Sequence, residues 1–135
     1  MDRFDASERS RIMAQVRGKD TGPERIVRSL THKLGYRFAL HRRDLPGSPD
    51  LVFPCRKKVI FVHGCFWHQH ARCSRSAPPS SRRDYWLPKL ANNRLRDRRN
   101  LRALRRLGWN VLTLWECQLK DLERLRAALE VFLER

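Results

Sequence analysis

Apolar residues recur along the chain in two periods, and the switches between them divide it into elements. Residues 7–16 place Ile12, Met13 and Val16 on one side of a short helix. The next segment, RGKDTG, holds charge and glycine and reads as a turn. Thr21-Gly22-Pro23-Glu24 has the form of a capping box, with Thr21 as N-cap and Glu24 in the first turn. Ile26, Val27, Leu30 and Leu34 follow at helical spacing, and Gly35 supplies a stop. The period then shortens, and Tyr36, Phe38 and Leu40 alternate as in a half-buried strand. LPGSP (45–49) breaks that strand, and Asp50 opens a second one, Leu51-Val52-Phe53.

After a turn at 54–57, residues 59–62 form an uninterrupted apolar run, as expected of a central strand buried on both faces. A long helix is predicted over 85–107, with Leu90, Leu101, Leu104 and Leu107 inward and Gly108 at its end. Residues 109–115 read as another buried strand, and Leu122, Leu125, Leu129 and Phe132 mark a closing amphipathic helix. Helices interspersed with strands, including one hairpin-like pair, predict an α/β fold: a mixed β-sheet flanked by helices.

A length of 135 residues fits one domain. Charge changes the picture more. Thirty Lys+Arg against fourteen Asp+Glu give +16, which favours a polyanionic partner through phosphate contacts and counterion release. Charge alone does not separate DNA, RNA and an anionic membrane surface. The opening MDRFDASERSRIMAQV lacks a signal-peptide core, and no stretch approaches a membrane span, so a soluble, cytoplasmic, monomeric protein is expected. In that reducing compartment four cysteines are better metal ligands or free thiols than disulfides.

The sharpest local feature is Cys65-Phe66-Trp67-His68-Gln69-His70-Ala71-Arg72-Cys73. The Cys-x4-His-x2-Cys spacing of Cys65, His70 and Cys73 suits tetrahedral zinc, and Cys117 offers a fourth ligand. A closed four-ligand set would be structural, pinning the loop to the end of a distant strand; the bland alternative is that these cysteines are merely small buried hydrophobes. Cys55 lies in a turn without partner spacing and reads as a free thiol.

His68 is left spare by the metal spacing, and an imidazole can take a proton from water near neutral pH. Asp50, beside the predicted central strand, is the kind of hard carboxylate that magnesium prefers, although strand-initiating aspartates are commonly turn residues. Phe66 and Trp67 fit either a wedge between base steps or a local core over the metal loop. The arginine-rich helix, with Asn92 and Asn93, fits phosphate or base-edge contacts.

Taken together, Phe61 through His68, Pro49-Asp50 upstream and Trp115-Glu116-Cys117 downstream closely resemble the very-short-patch repair (Vsr) endonucleases. The resemblance extends over Arg17 to Thr21 with Glu24, and over Tyr85-Trp86-Leu87 through Arg94 to Asn100. It implies a restriction-endonuclease-like fold with a structural zinc site, organised as an N-terminal DNA-contacting arm (1–20) and an endonuclease domain (21–135). It also implies nicking 5′ to the thymine of a T:G mispair left by deaminated 5-methylcytosine, with other mismatch-repair proteins as candidate partners.

Carried over by position, Asp50 would ligate Mg2+, His68 would act as general base, and Glu24 and His63 would assist. Cys65, His70, Cys73 and Cys117 would hold Zn2+. Phe66 and Trp67 would enter the DNA from the major-groove side and Met13 from the other, while Trp86, Lys89, Asn92, Asn93 and Arg94 would contact it. Many members carry Thr where this chain has Val62, which can still ligate Mg2+ through its backbone carbonyl. Residues 74–83 do not match the family pattern. A nuclease with another target, of restriction or homing type, and a zinc-stabilised DNA-binding module without catalysis are the alternatives. Retention of both Asp50 and His68 argues against the module.

Overall fold

A computed structural model describes residues 22–77 and 80–135. The predicted helix at 7–16, Met13 and the Thr21 cap lie outside the described residues. Helix α1, Gly22–Lys33, is followed by β1, Ala39–Leu40, β2, Leu51–Phe53, and β3, Lys58–His63. Helix α2, Arg83–Arg106, then leads to β4, Asn110–Trp115, and α3, Leu122–Glu134, closes the chain.

The four strands lie in sequence order, β1-β2-β3-β4. The first two pairings are antiparallel and the third is parallel, so the sheet is mixed as expected. A parallel neighbour needs a crossover, and α2 supplies it. Alternation along the strands feeds two cores. Leu51, Phe53, Ile60 and Leu114 pack with Val27 of α1 and with Leu125, Leu129, Phe132 and Leu133 of α3. On the other face Val52 and Val59 pack with Leu104 of α2 and Trp109. Burying each such aliphatic side chain is worth about 1.5–3 kcal/mol against leaving it exposed. The architecture is α/β, with helices on both faces of the sheet.

Three details depart from the periodicity. Ile26 is 41% exposed, because it lies about 100° from Val27 around α1 and only Val27 can face the sheet. The strand expected across Tyr36, Phe38 and Leu40 shrinks to Ala39–Leu40, since its antiparallel partner β2 gives way at Pro54 to a 3-10 turn and leaves the residues before Ala39 without a pairing strand. Leu107, expected inward, is 55% exposed: it follows the last turn of α2, and Trp109 fills that end of the core.

Tight packing places the loop between β1 and β2. Gly47 has φ +79°, and a Cβ there would meet the Asn100 side chain at 3.0 Å. Only glycine combines that backbone with that approach. The loop therefore sits directly on α2 and delivers Asp50 to the sheet at the level of Val62.

Candidate active site and metal cluster

The parallel pair β3 and β4 ends at the register pair His63 and Trp115, and each chain places a cysteine two residues further on, at Cys65 and Cys117. Equal exits from adjacent strands bring the two thiols together. A tight turn, with His68 N–H donating to Gly64 O and His70 N–H to Cys65 O, folds His70 back onto them. His70 Nδ1 lies 3.7 Å from Cys65 Sγ and 3.4 Å from Cys117 Sγ. With Cys73 the four ligand atoms lie within 4.8 Å of one another.

Tetrahedral zinc, at about 2.3 Å from sulfur and about 2.0–2.1 Å from nitrogen, requires sulfur–nitrogen edges of about 3.5 Å. The donor set and spacing therefore fit zinc. Burial pushes the Cys65 thiol up to about 12, a cost that a cation offsets by stabilising the thiolate. Cys55, exposed, stands apart from this cluster.

Beside the cluster opens a cleft of about 860 Å3. One wall carries Glu24 from α1, His41 from the end of β1 and Asp50 from the start of β2. Val62 N–H donates to Asp50 Oδ2 at 2.6 Å, anchoring that carboxyl to β3. Burial raises the Asp50 carboxyl to about 7, the Val62 hydrogen bond opposes the rise, and the Glu24 carboxylate adds to it. Glu24 is itself buried, with Oε2 3.1 Å from His41 Nε2. Two carboxyl groups crowded away from water in this way favour a bound cation.

The same cleft also carries a second group, His63, His68 and Asp97. His68 Nδ1 lies 2.7 Å from Asp97 Oδ2, so the carboxylate fixes the Nδ1–H tautomer and leaves Nε2 as a proton acceptor. His63 stacks on His68, with centroids 3.8 Å apart and planes 7° from parallel. Burial, and secondarily the neighbouring His68 charge, depresses His63 to about 3, which keeps its ring neutral. Trp115 links the centres: it stacks on His70 at 4.2 Å and meets His63 edge-on at 5.2 Å.

The rim is basic, with Arg43, Arg94, Arg96 and Arg98 lining the cleft. Phe66 and Trp67, half-buried beside it, pack against each other at 5.1 Å. Trp86, expected to contact DNA, is instead buried against both, at 5.5 and 5.7 Å, and against Tyr85 at 5.0 Å. Asn93 Nδ2 donates to Trp67 O at 3.0 Å and holds the aromatic loop onto α2. Lys89 lies over the Trp67 ring, while Asn92 and Arg94 are exposed.

The sequence thus identified two members of each trio, Glu24 with Asp50 and His63 with His68, and missed the third, His41 and Asp97. Asp97 is one of only two acids in the arginine-rich window around α2, and that isolation was its signal. His41 directly follows the alternating strand residues and offered no motif.

The family model described as "DNA mismatch endonuclease Vsr" matches residues 1–75. The Type II nicking enzyme V.XorIIP of Xanthomonas oryzae pv. oryzae is 53% identical over 133 residues, covering 98% of this chain and 97% of that protein. The DNA mismatch endonuclease Vsr of Escherichia coli K12 is 41% identical over 124 residues, covering 92% of this chain and 79% of that one. The Type II nicking enzyme V.NmeAIP of Neisseria meningitidis is 38% identical over 120 residues, covering 89% and 85% of the two chains. With its mixed sheet, its flanking helices and its cysteine–histidine cluster in place, this chain belongs to the Vsr family of DNA mismatch endonucleases.

Proposed function

We propose that the protein nicks one strand of duplex DNA 5′ to the thymine of a T:G mispair, starting very short patch repair. The observation that carries this reading is the cleft itself, where a buried and a half-buried carboxyl group share an arginine-rimmed opening with a carboxylate-oriented histidine. In this reading Asp50, assisted by Glu24 and the Val62 backbone carbonyl, would hold Mg2+. When bound, that ion would neutralise charge on the scissile phosphate and lower the pKa of a coordinated water.

His68 Nε2 accepts the proton of the attacking water, while Asp97 retains the Nδ1 proton and steadies the imidazolium that forms. Neutral His63 holds the His68 ring by stacking without adding charge to the cleft. The rim arginines and Lys89 grip phosphates, with Asn92 and Asn93 on the same helix. Phe66 and Trp67 enter the base stack beside the mispair, supported from below by Trp86, and Met13 of the N-terminal arm enters opposite. Cys65, His70, Cys73 and Cys117 hold structural Zn2+. No helix among the described residues is long and apolar enough to cross a membrane. A monomer working on chromosomal DNA in the cytoplasm completes the reading.

The test uses end-labelled duplexes that differ by one T:G mispair, incubated with the protein and magnesium. A single nick 5′ to the mispaired thymine, absent from the paired duplex, is the expected result. Equal cutting of both duplexes would replace this reading with that of a restriction-type nuclease.

Trp67→Ala reports on the wedge separately. The discrimination between mispaired and paired duplex should fall by about tenfold or more, because base–aromatic stacking is worth about 1–3 kcal/mol. Affinity for plain duplex, governed by phosphate contacts, should change by less than about threefold. Equal losses on both duplexes would make Trp67 part of the aromatic core alone.

A further inference from the structure

We propose that His41 is a third protein ligand to the cation held between Glu24 and Asp50, and that it biases the site toward Mn2+ over Mg2+. The inference rests on the reading of Asp50 as a cation ligand and adds a nitrogen donor to it.

Three observations converge on the ring. His41 Nε2 lies 3.1 Å from Glu24 Oε2, and Nδ1 lies 3.9 Å from Asp50 Oδ1. The Asp50 oxygen on the His41 side is the one that Val62 N–H does not use. Nε2 is also buried, and despite its closeness to Glu24 it makes no aligned hydrogen bond among the described residues. Two donors about 3 Å apart that do not point at each other have the spacing of adjacent ligands on one six-coordinate ion, whose bonds are about 2.1 Å long.

The third observation is the backbone. His41 sits at φ 48°, in the left-handed region, immediately after Leu40 of β1. The turn that ends the edge strand is the same one that aims the imidazole into the cleft, and non-glycine residues in such conformations cluster at functional sites.

The chemistry then differs from an all-oxygen site. Mg2+ demands oxygen ligands and gives up water reluctantly, whereas imidazole is a better donor to first-row transition ions. A carboxylate–carboxylate–imidazole set therefore raises Mn2+ affinity more than Mg2+ affinity. The competing role for His41 is a protonated bridge between the two carboxylates. That role has the opposite sign, because an imidazolium excludes a metal cation from the same place.

His41→Asn separates the two, since asparagine tolerates the left-handed backbone and cannot extend an imidazole. Mn2+ binding to zinc-loaded full-length protein would be followed by the electron spin resonance of free and bound Mn2+. A directly bound nitrogen would be read from spin-echo modulation, with thermal unfolding confirming that the variant is folded. We expect Mn2+ affinity to fall about tenfold or more, Mg2+ affinity to fall less, and the His41 nitrogen coupling to vanish. Unchanged or increased Mn2+ affinity in His41→Asn overturns the proposal, an increase identifying the charged bridge. Asp50→Asn, run in parallel, keeps the two readings apart. Mn2+ binding lost there but intact in His41→Asn defeats only the His41 assignment, while binding retained in Asp50→Asn defeats the cation site itself.

Discussion

Asp50→Asn should reduce nicking of a T:G duplex by about three orders of magnitude or more while leaving DNA affinity within a few-fold of the parent. The amide keeps the size of the carboxyl group, and its oxygen can still accept the Val62 N–H that anchors Asp50 to β3. What it removes is the negative charge that a cation requires. The rim arginines, to which the proposed function assigns the phosphate grip, are untouched.

The same substitution should stabilise the protein at alkaline pH when no magnesium is present, and the sign follows from linkage. The Asp50 carboxyl is raised to about 7 in the fold against 3.8 for the free group. Between those values the folded state binds more protons than the unfolded one, so stability falls as pH rises from about 4 to about 7. The loss is complete above pH 7 and on the order of a few kcal/mol. Asp50→Asn should abolish that slope, and a bound cation should flatten it in the parent. Unfolding midpoints of zinc-loaded protein at pH 5 and pH 8, with and without magnesium, measure both effects. A variant that cuts normally would remove Asp50 from the chemistry.

Removal of zinc is expected to have the largest structural effect. Structural zinc carries apparent binding energies of about 10–16 kcal/mol in small peptides, against a total domain stability of about 5–15 kcal/mol. Here the cluster ties together the exits of two parallel strands and the segment between Cys65 and Cys73, which contains no helix or strand of its own. Metal analysis should find about one zinc per chain, as one closed four-ligand site requires. Cys117→Ser or strong chelation should lower the unfolding temperature by tens of degrees and abolish nicking, with zinc rather than magnesium restoring it. Cys55→Ser, outside the cluster, is the control and should change neither. Unchanged melting after complete chelation would show that the three packed thiols and one imidazole suffice without metal.

What was legible in the sequence follows the range of the interactions involved. β3 announced itself through its unbroken apolar run, and α1 and α3 through apolar stripes, because burial on one or two faces writes directly into local periodicity. The cysteine–histidine cluster was legible because three of its members lie within nine residues and the fourth follows a recognisable strand. His41 and Asp97 were not. Each enters the cleft from an element that approaches only in three dimensions, and neither carries a spacing signal. The extent of β1 escapes the pattern for a related reason: alternation in Tyr36, Phe38 and Leu40 records partial burial, whereas pairing stops where β2 gives way to the turn at Pro54. Asp50 and His68 were weak on spacing and acquired their roles through the family resemblance. Their placement across one cleft is consistent with those roles and leaves them to the experiments above.

The segment from His63 to His70 interleaves three sets of groups within eight positions: His63 and His68 in the cleft, Phe66 and Trp67 in the aromatic cluster, and Cys65 and His70 in the metal set. Its turn is closed by backbone hydrogen bonds from His68 and His70 to Gly64 and Cys65. The length of this stretch is therefore quantised. A single inserted or deleted residue would throw all three sets out of phase at once, and no compensating substitution could restore them together. Over evolutionary time such a stretch can change by replacement but hardly by indel. The serine- and proline-rich connection that follows Cys73 carries none of these groups and is free to vary in length. Length changes are accordingly expected in the connection after Cys73 rather than between His63 and His70.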